Sequence, residues 1–262
     1  MGDRADLNAD MGESFGRWTL GDDGALMPHL SSANIACGFH GGDPHVMRRT
    51  VALALEHGVG IGAHIGLPDL IGFGRRRLAI RVDELEDYVM YQAGALRAFA
   101  DAVGGRLQHV KPHGALYTMI VDNDDYARAV CDAVSALGPD VILLMPPEVG
   151  EAAAAAGVPF VPEGYVDLDY DAAGKLVLER VKQVRDPQQM GEKAVRFLRE
   201  GKVRTIDGAD LEVDVESICV HGDAPNAPEI AATIRAALAS AGIEVTRLAE
   251  LRQGGPRSIG GS

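Results

Sequence analysis

Short apolar runs alternate with longer helix-forming segments along almost the whole chain of 262 residues. Repeated β–α units of this kind fold as a parallel sheet with helices packed against it, because parallel strands need a long crossover connection. The sequence therefore predicts an α/β protein. Seven apolar runs are predicted as strands: Ala5–Ala9, Ala33–Cys37, Val59–Ala63, Leu107–Val110, Val141–Met145, Val158–Val161 and Ser217–Val220.

Capping residues mark where several of the helices between these strands begin and end. Asp43-Pro44 and Asp186-Pro187 place an N-cap before a proline in the first turn, and a glycine follows the last turn of each helix. Asp83 with Glu86 predicts a capping box that opens a long helix ending at 104–105. The other predicted helices are Asp122–Leu137, Glu148–Ala156 and Glu229–Ala241.

Two segments interrupt the alternation and are predicted as hairpins at the rim of a barrel. One turns over Asp171–Gly174, and the other contains Asp207-Gly208, a strong hairpin signal. No proline- or serine-rich linker divides the chain, so residues 1–252 are predicted to form one βα-barrel domain. The glycine-rich residues 253–262 are predicted to be a flexible tail.

Charge and cysteine content exclude several classes of partner and location. The 38 acidic residues outnumber the 25 basic ones and give a net charge of −13, which disfavours nucleic acid and anionic lipid. The three cysteines fit neither a disulfide framework nor a CxxC site, so a reducing cytoplasm is expected. No apolar stretch approaches the roughly 18 residues that a membrane span needs.

Polar side chains, nearly all of them ionisable, lie at the ends of five of the seven predicted strands. In a parallel barrel the carboxyl ends of the strands converge on one mouth, where substrates bind. Histidines and carboxylates gathered there can hold a divalent metal or act directly as general acid and base, and hydrolysis of a carboxamide needs either. In strand order the residues are Asn8, Asp10 and Glu13; His40 and Asp43; His64 and Asp69; Lys111 and His113; and His221 and Asp223.

Each of these residues also has a purely structural interpretation. Aspartate after a strand commonly forms a turn or caps a helix, and Asp43 is expected to cap the helix that follows it. Four of the eight histidines nevertheless follow a predicted strand end by no more than three residues, which chance placement would not produce. The remaining four, for which structural roles are expected, are His29, His45, His57 and His109.

The loop GFGRRR is a basic island in an acidic chain. Its residues Arg75, Arg76 and Arg77 could clamp a carboxylate or a phosphate, and a solvated basic turn is an equally good interpretation. The sequence contains no P-loop, no GxSxG elbow and no HExxH motif, and its one loose GxGxxA match does not follow a strand.

Five blocks of sequence together resemble the LamB/YcsF family, which provides the A subunit of bacterial ATP-dependent 5-oxoprolinase. They are, in chain order, DLNADMGESFG, SANIACGFHGGDP, GIGAHIGLPDLIGFGRRRL, HVKPHGALY and CVHGD. The resemblance covers roughly Asp6 to Leu248. It implies a distorted seven-stranded parallel (β/α) barrel of the glycoside hydrolase/deacetylase type. It also implies opening of the lactam of 5-oxo-L-proline to L-glutamate, with ATP and its Mg²⁺ as co-substrate and with two partner subunits, B and C.

The resemblance further suggests roles for the residues at the strand ends. Deacetylase-type barrels with a similar segment hold a divalent metal with an aspartate and two histidines, which match Asp10, His64 and His113, with His40 in reserve. Glu13 or His221 is then the expected general base. The other expected roles are orientation of His221 by Asp223, catalysis by Lys111, and substrate binding by Asn8, His40, Asp43, His64, Asp69, Arg75 and Arg76.

The chain departs from the family pattern at the wall of the expected site. Ile65 and Leu67 replace a proline and a tyrosine, and Leu168 replaces an arginine that follows strand six. Three functions therefore stay open: a lactam-opening subunit that works with ATP and partners, an ATP-independent metal-dependent amidase or carbohydrate deacetylase, and a non-catalytic carboxylate-binding paralogue. Self-association into a homo-oligomer is also left open.

Overall fold

The structure is a computed structural model, which describes residues 3–177 and 182–253. Its strands are β1 (Asp3–Met11), β2 (Ser32–Ala36), β3 (Gly60–Ile65), β4 (Leu107–Pro112), β5 (Ile142–Met145), β6 (Phe160–Tyr165), β7 (Asp169–Tyr170), β8 (Leu176–Val177), β9 (Lys202–Arg204), β10 (Asp210–Glu212), β11 (Ser217–Val220) and β12 (Ile243–Val245).

Seven of these strands close into a parallel barrel. Strands β1 to β6 pair in chain order, β11 pairs with β6, and the ring closes where β11 pairs with β1. The register shifts between Ile61 and Gly62 where β3 meets β4, and β12 adds to the beginning of β1 outside the ring. The predicted seven strands and the distorted parallel (β/α) barrel are confirmed, whereas β12 was not predicted.

Helices surround the ring. They are α1 (Asp23–Leu26), α2 (Pro44–Glu56), α3 (Val82–Ala102), α4 (Gly114–Val121), α5 (Asp124–Leu137), α6 (Gly150–Ala155), α7 (Pro187–Glu200), α8 (Ala227–Ser240) and α9 (Leu248–Gln253). Within the described ranges no helix is long and apolar enough to cross a lipid bilayer. The predicted tail falls outside the described residues from position 254 onward.

Helix caps match the sequence signals in two cases and differ in two others. Asp43 and Asp186 cap α2 and α7 as predicted. Helix α3 begins at Val82 instead of after Asp83, because the Glu84 side chain accepts a hydrogen bond from the backbone N–H of Arg81. The predicted helix from Asp122 begins instead at Asp124, after an Asn123 cap, and is preceded by a separate helix, α4.

Both predicted hairpins form. Strands β7 and β8 pair antiparallel across residues 171–175, and β9 and β10 pair antiparallel across residues 205–209. The hairpins approach each other closely, since a Cβ atom built on Gly174 would lie 3.1 Å from the Leu211 side chain. They line a cavity together with residues beyond the carboxyl end of β5, which places them at the mouth of the barrel.

A polar cluster fills the opposite end of the barrel interior. The fully buried carboxylate of Asp6 accepts hydrogen bonds from the hydroxyls of Ser31 (2.7 Å), Ser32 (2.6 Å) and Ser217 (2.5 Å). Burial raises the pKa of Asp6, and these hydroxyl donors partly offset that effect. The amino-terminal end of the strand ring is thus occupied by a bonded polar cluster.

Candidate active site

Four side chains from three strand-end loops and one strand converge at the mouth. Glu13 follows β1, His40 follows β2, His64 lies on β3 and His113 follows β4. One potential ligand atom from each lies within 4.8 Å of those of the other three, and all four residues are buried. Glu13 Oε1 is 3.3 Å from His40 Nε2, 3.7 Å from His113 Nδ1 and 4.0 Å from His64 Nε2.

Hydrogen bonds on the outer side of the cluster fix which ring nitrogens face inward. His64 Nδ1 lies 3.0 Å from the Lys111 carbonyl, and His113 Nε2 lies 2.8 Å from the Phe73 carbonyl. Because carbonyls only accept, these nitrogens carry the protons. The unprotonated His64 Nε2 and His113 Nδ1 then face each other at 3.0 Å. Two lone pairs at this distance repel unless a cation lies between them.

The other two members of the cluster are short of partners. Neither Glu13 Oε1 nor either ring nitrogen of His40 makes a hydrogen bond, although all three atoms are buried. Buried polar atoms are rarely left unsatisfied in proteins. Burial lowers the pKa of His40, His64 and His113 and so favours the neutral imidazoles that metals bind. The donor set of one carboxylate and three imidazoles fits a divalent cation such as zinc.

A buried ion pair between Lys111 and Asp10 lies next to the cluster. Lys111, only 1% exposed, places its ammonium 2.8 Å from Asp10 Oδ1 and 3.6 Å from Glu163 Oε2. Asp10 Oδ2 lies 3.3 Å from His64 Nε2. Burial raises the pKa of Asp10, but its electrostatic contacts with the His64 ring and the Lys111 ammonium outweigh this and lower it, so the carboxylate stays ionised beside the histidines.

His221 forms a dyad with an aspartate that the sequence analysis did not select. Both Asp167 oxygens lie 3.0 Å from His221 Nδ1, and Asp167 Oδ2 also accepts a hydrogen bond from the His221 backbone N–H. This corrects the expectation that Asp223 orients His221, because Asp223 instead binds the Arg75 guanidinium at 2.7 Å. The free His221 Nε2 lies 3.9 Å from Asp10 Oδ2, so the dyad adjoins the cluster.

The loop after β3 packs against the cluster and has a strained backbone. Phe73 adopts a left-handed backbone conformation at φ +53°, which is unusual for a bulky residue. The next residue, Gly74, has φ +62°, and a Cβ built on it would lie 2.7 Å from His40 Cβ and 2.8 Å from His113 Cδ2. The loop therefore packs against both rings, and Phe73 supplies the carbonyl that selects the His113 tautomer.

A narrow cleft of about 30 Å³, which reaches the cluster at His113, adjoins a larger cavity. The cleft is lined by Arg75, His113, Gly114, Tyr117, Tyr165, Leu168, Leu176, Lys182 and His221. The cavity, of about 600 Å³, shares the Tyr117, Tyr165 and Leu176 walls with the cleft and extends between the two hairpins. A small molecule in the cavity would thus lie next to the cleft that His113 and His221 line.

Of the predicted substrate-binding residues, His40, His64 and Arg75 lie at the site. Asn8 is fully buried inside the barrel, where it binds Ser217 and Asn34. Asp43 caps α2, and Asp69 pairs with Arg76 in the turn after β3. Arg76 is largely exposed, and neither it nor Asp69 lines the cleft.

The predicted metal ligands are brought together with two further residues. His64 and His113 lie in the cluster, while Asp10 contacts His64 and is paired with Lys111. Glu13, expected as a base, and His40, held in reserve, complete the set of four. His109 has the structural role expected of it, since its ring is buried and binds Asn34 Oδ1 at 2.7 Å.

Sequence reasoning missed Asp167, Glu163 and Lys182. Asp167 and Glu163 lie in the segment at and after the sixth strand, where an ionisable cluster was not recognised because the predicted strand ended four residues too early, at Val161. The signal was available in the run of carboxylates in EGYVDLDY. Lys182 follows the β7–β8 hairpin, far from any barrel strand end, and no local pattern marks it.

Comparison with known proteins agrees with this geometry. The LamB/YcsF family profile matches residues 5–253. The chain belongs to the LamB/YcsF family. A Pseudomonas aeruginosa protein named as a 5-oxoprolinase A subunit is 50% identical over 247 residues, with 92% of this chain and 97% of that protein covered. The protein of the same name from Nocardia farcinica is 51% identical over 243 residues, again with 92% and 97% covered.

A solved structure extends the family relationship to the fold. The lactam utilization protein from Thermus thermophilus superimposes with a TM-score of 0.86 at 43% identity, covering 94% of this chain and all of that one. This family member therefore shares its barrel with a lactam utilization protein and most of its sequence length with proteins named as 5-oxoprolinase A subunits.

Proposed function

We propose that this chain is the lactam-opening subunit of an ATP-dependent 5-oxoprolinase that converts 5-oxo-L-proline to L-glutamate together with partner subunits B and C. The observation that carries the proposal is the convergence of Glu13, His40, His64 and His113 beside the His221–Asp167 dyad at the cleft. Near-full-length similarity to proteins named as 5-oxoprolinase A subunits supports this reaction over other amide hydrolyses.

Glu13, His40, His64 and His113 would hold a divalent cation. When bound there, such an ion would polarise the lactam carbonyl and lower the pKa of a water molecule. Asp10 lies outside the four but keeps its negative charge next to His64, because Lys111 pairs with it. Asp10 thus adds negative charge beside the cluster, while the Lys111 carbonyl holds the His64 ring through Nδ1.

The His221–Asp167 dyad is the proton carrier in this proposal. Hydrolysis forms a bond between water oxygen and the carbonyl carbon, breaks the ring C–N bond and transfers a proton to the departing nitrogen. Asp167 holds the proton on His221 Nδ1 and leaves Nε2 free to accept a proton from water and return it to nitrogen. Electrostatic contact with Asp167 stabilises the imidazolium formed between the two transfers.

ATP is assigned to activation of the lactam, with partner chains holding most of the nucleotide. A five-membered lactam is a poor electrophile, and phosphorylation of its amide oxygen by ATP would make the ring carbon more electrophilic. Attack by water and cleavage of the ring C–N bond would then leave an acyl phosphate, whose hydrolysis by a second water releases glutamate and phosphate. The chain has no P-loop, and the lining of the 600 Å³ cavity includes five carboxylates, which disfavour a triphosphate. The A-subunit designation of the relatives supports partners that supply this step.

One assay separates this function from the two alternatives. Hydrolysis of 5-oxo-L-proline would be measured for the chain alone and with co-expressed B and C subunits, each with and without ATP and chelator. We expect turnover only in the complete complex with ATP, and loss of that turnover on chelation. ATP-independent turnover by the chain alone would identify an amidase, and an inactive complete complex would favour a non-catalytic paralogue.

A histidine pair provides the matched variants. His113→Ala removes a cluster imidazole, whereas His45→Ala removes an exposed ring from the first turn of α2. We expect the first variant to abolish turnover and the second to retain it, with both folded by circular dichroism. Equal activity of the two variants would contradict the proposed site.

A further inference from the structure

We propose that Lys182 anchors the carboxylate of the lactam substrate in the cleft beside His113 and His221. This inference rests on the proposed function and names the group that would select a lactam bearing a carboxylate. Lys182 is 9% exposed and lines the cleft that adjoins the metal-binding cluster. A buried ammonium group is costly unless an anion accompanies it.

Lys182 has no anion committed to it among the residues that the structure describes. No carboxylate oxygen in that part of the chain lies within ion-pair distance of its ammonium. Asp167, which lies near enough to feel its charge, already directs both oxygens to His221. The ammonium is therefore available to an anion that arrives with the substrate.

The other cation in the cleft is already engaged. Arg75 places a guanidinium nitrogen 2.7 Å from Asp223 Oδ2 and stacks over the Phe73 ring at 4.9 Å. These contacts tie the strained loop after β3 to the segment after β11. Arg75 thus has a structural duty, although it was predicted as a substrate ligand, and Lys182 is the better candidate for binding the carboxylate.

The charges of the two neighbouring compartments support this assignment. No acidic side chain lines the cleft within the described residues, whereas five carboxylates line the adjoining cavity. An anionic group is therefore favoured in the cleft and disfavoured in the adjoining cavity. Leu176 and Tyr165 line both the cleft and the cavity, so they would pack against the methylene groups of a lactam ring where the two compartments meet.

Lys182 also lies close to the groups that would carry out the reaction. Lys182 lines the same narrow cleft as His113, a member of the cluster, and His221, the proton carrier. A small lactam held at Lys182 by its carboxylate would therefore present its ring amide toward these two histidines. One cation would then fix orientation and select substrate without taking part in proton transfer.

Binding of 5-oxo-L-proline to the full chain, loaded with zinc and free of partners, tests the anchor directly. We expect Lys182→Met to weaken binding by about 10- to 100-fold in titration calorimetry, as loss of a charge-assisted hydrogen bond to a carboxylate does. Lys182→Arg should retain part of the affinity. The control is Lys175→Met, which removes an exposed lysine from the nearby hairpin and should leave affinity unchanged.

The neutral analogue 5-oxoprolinamide distinguishes charge recognition from a general loss of shape. We expect it to bind the wild-type chain and the Lys182→Met variant equally. Failure of the wild-type chain to bind 5-oxo-L-proline, or equal binding of 5-oxo-L-proline by the wild type and Lys182→Met, would overturn the anchor. These binding results stand apart from turnover by the complete complex, whose absence would refute the proposed function alone.

Discussion

The hydrogen bonds around His221 determine which of its nitrogens can react. Asp167 contacts the ring through Nδ1 and the backbone through its N–H, so the imidazole is held at two points. Burial raises the pKa of Asp167, but the neighbouring His221 and Lys182 charges more than offset this and keep it ionised. A neutral amide at position 167 would keep the shape and lose the charge.

We therefore expect Asp167→Asn to lower kcat of the complete complex by about 10²- to 10⁴-fold, the usual contribution of general acid–base catalysis. The asparagine amide would favour the wrong His221 tautomer and would not stabilise the imidazolium. Asp169→Asn is the matched control, since Asp169 lies two residues away and pairs with Arg185. A similar kcat for the two variants would remove the dyad from the mechanism.

Glu163 gives the protein a pH-dependent stability. Burial raises its pKa from 4.5 to about 7, and the Lys111 charge only partly offsets this. The folded state then holds a proton that the unfolded state releases, so this contribution is complete below pH 4.5 and is lost as pH rises to about 7. The free energy of unfolding should fall by about 3 kcal/mol from this group over that range.

Glu163→Gln should remove that part of the pH dependence, because glutamine does not ionise and can still accept the Tyr165 hydroxyl. Urea unfolding of both proteins between pH 5 and 8 measures the difference. Glu148→Gln, an exposed change beside the same cavity, should follow the wild-type curve. Parallel curves for the wild type and Glu163→Gln would show that Glu163 is ionised throughout.

At the level of elements, the strained backbone of the loop after β3 positions two of the cluster histidines. Its Phe73 carbonyl selects the His113 tautomer, and Gly74 allows the backbone to pass close to two imidazoles. Strained backbone of this kind persists only where the surrounding structure holds it, and it clusters at functional sites. The loop is therefore part of the site as much as the histidines are.

Gly74→Ala should destabilise the fold by about 1–3 kcal/mol and lower the affinity for zinc. The new methyl group would meet His40 and His113 on a backbone that already disfavours a side chain. Gly157→Ala is the control, because Gly157 has a similar φ of +67° but no neighbouring atom within 4 Å of the added Cβ. If the two variants lose equal stability and zinc affinity, contact with the rings does not matter.

The barrel strands were predictable because each is a short apolar run between polar turns, and their carboxyl ends necessarily share one mouth. That geometry also explains why Asp10, Glu13, His40, His64, His113 and His221 were chosen correctly as neighbours. Periodicity does not register strand β12 or helix α4, which are short and lack distinctive caps. Asp167 escaped because the sixth strand was predicted to end at Val161, and Lys182 escaped because it lies beyond the β7–β8 hairpin, far from any barrel strand end.

For the whole molecule, a bound cation should act as a ligand of the folded state alone. We expect zinc to raise the midpoint of thermal unfolding of chelator-treated protein, since binding at 100 times Kd adds about 2.7 kcal/mol of stability. Glu13→Gln should reduce both the shift and the zinc content measured by mass spectrometry. Glu56→Gln, an exposed change near the end of α2, should behave as the wild type. An unchanged midpoint in the wild type would contradict a cation site.

The Asp6 carboxylate and its three serine hydroxyls affect where small molecules can enter and leave the barrel. Their short bonds fill the far end of the strand ring where β1, β2 and β11 begin, so these described residues leave no open passage between the three strands. Reactants and products must all pass the same rim, in turn. Under the proposed function, a partner that delivers an activated lactam to this centre would have to sit over that rim and withdraw, or open a side passage, before glutamate departs.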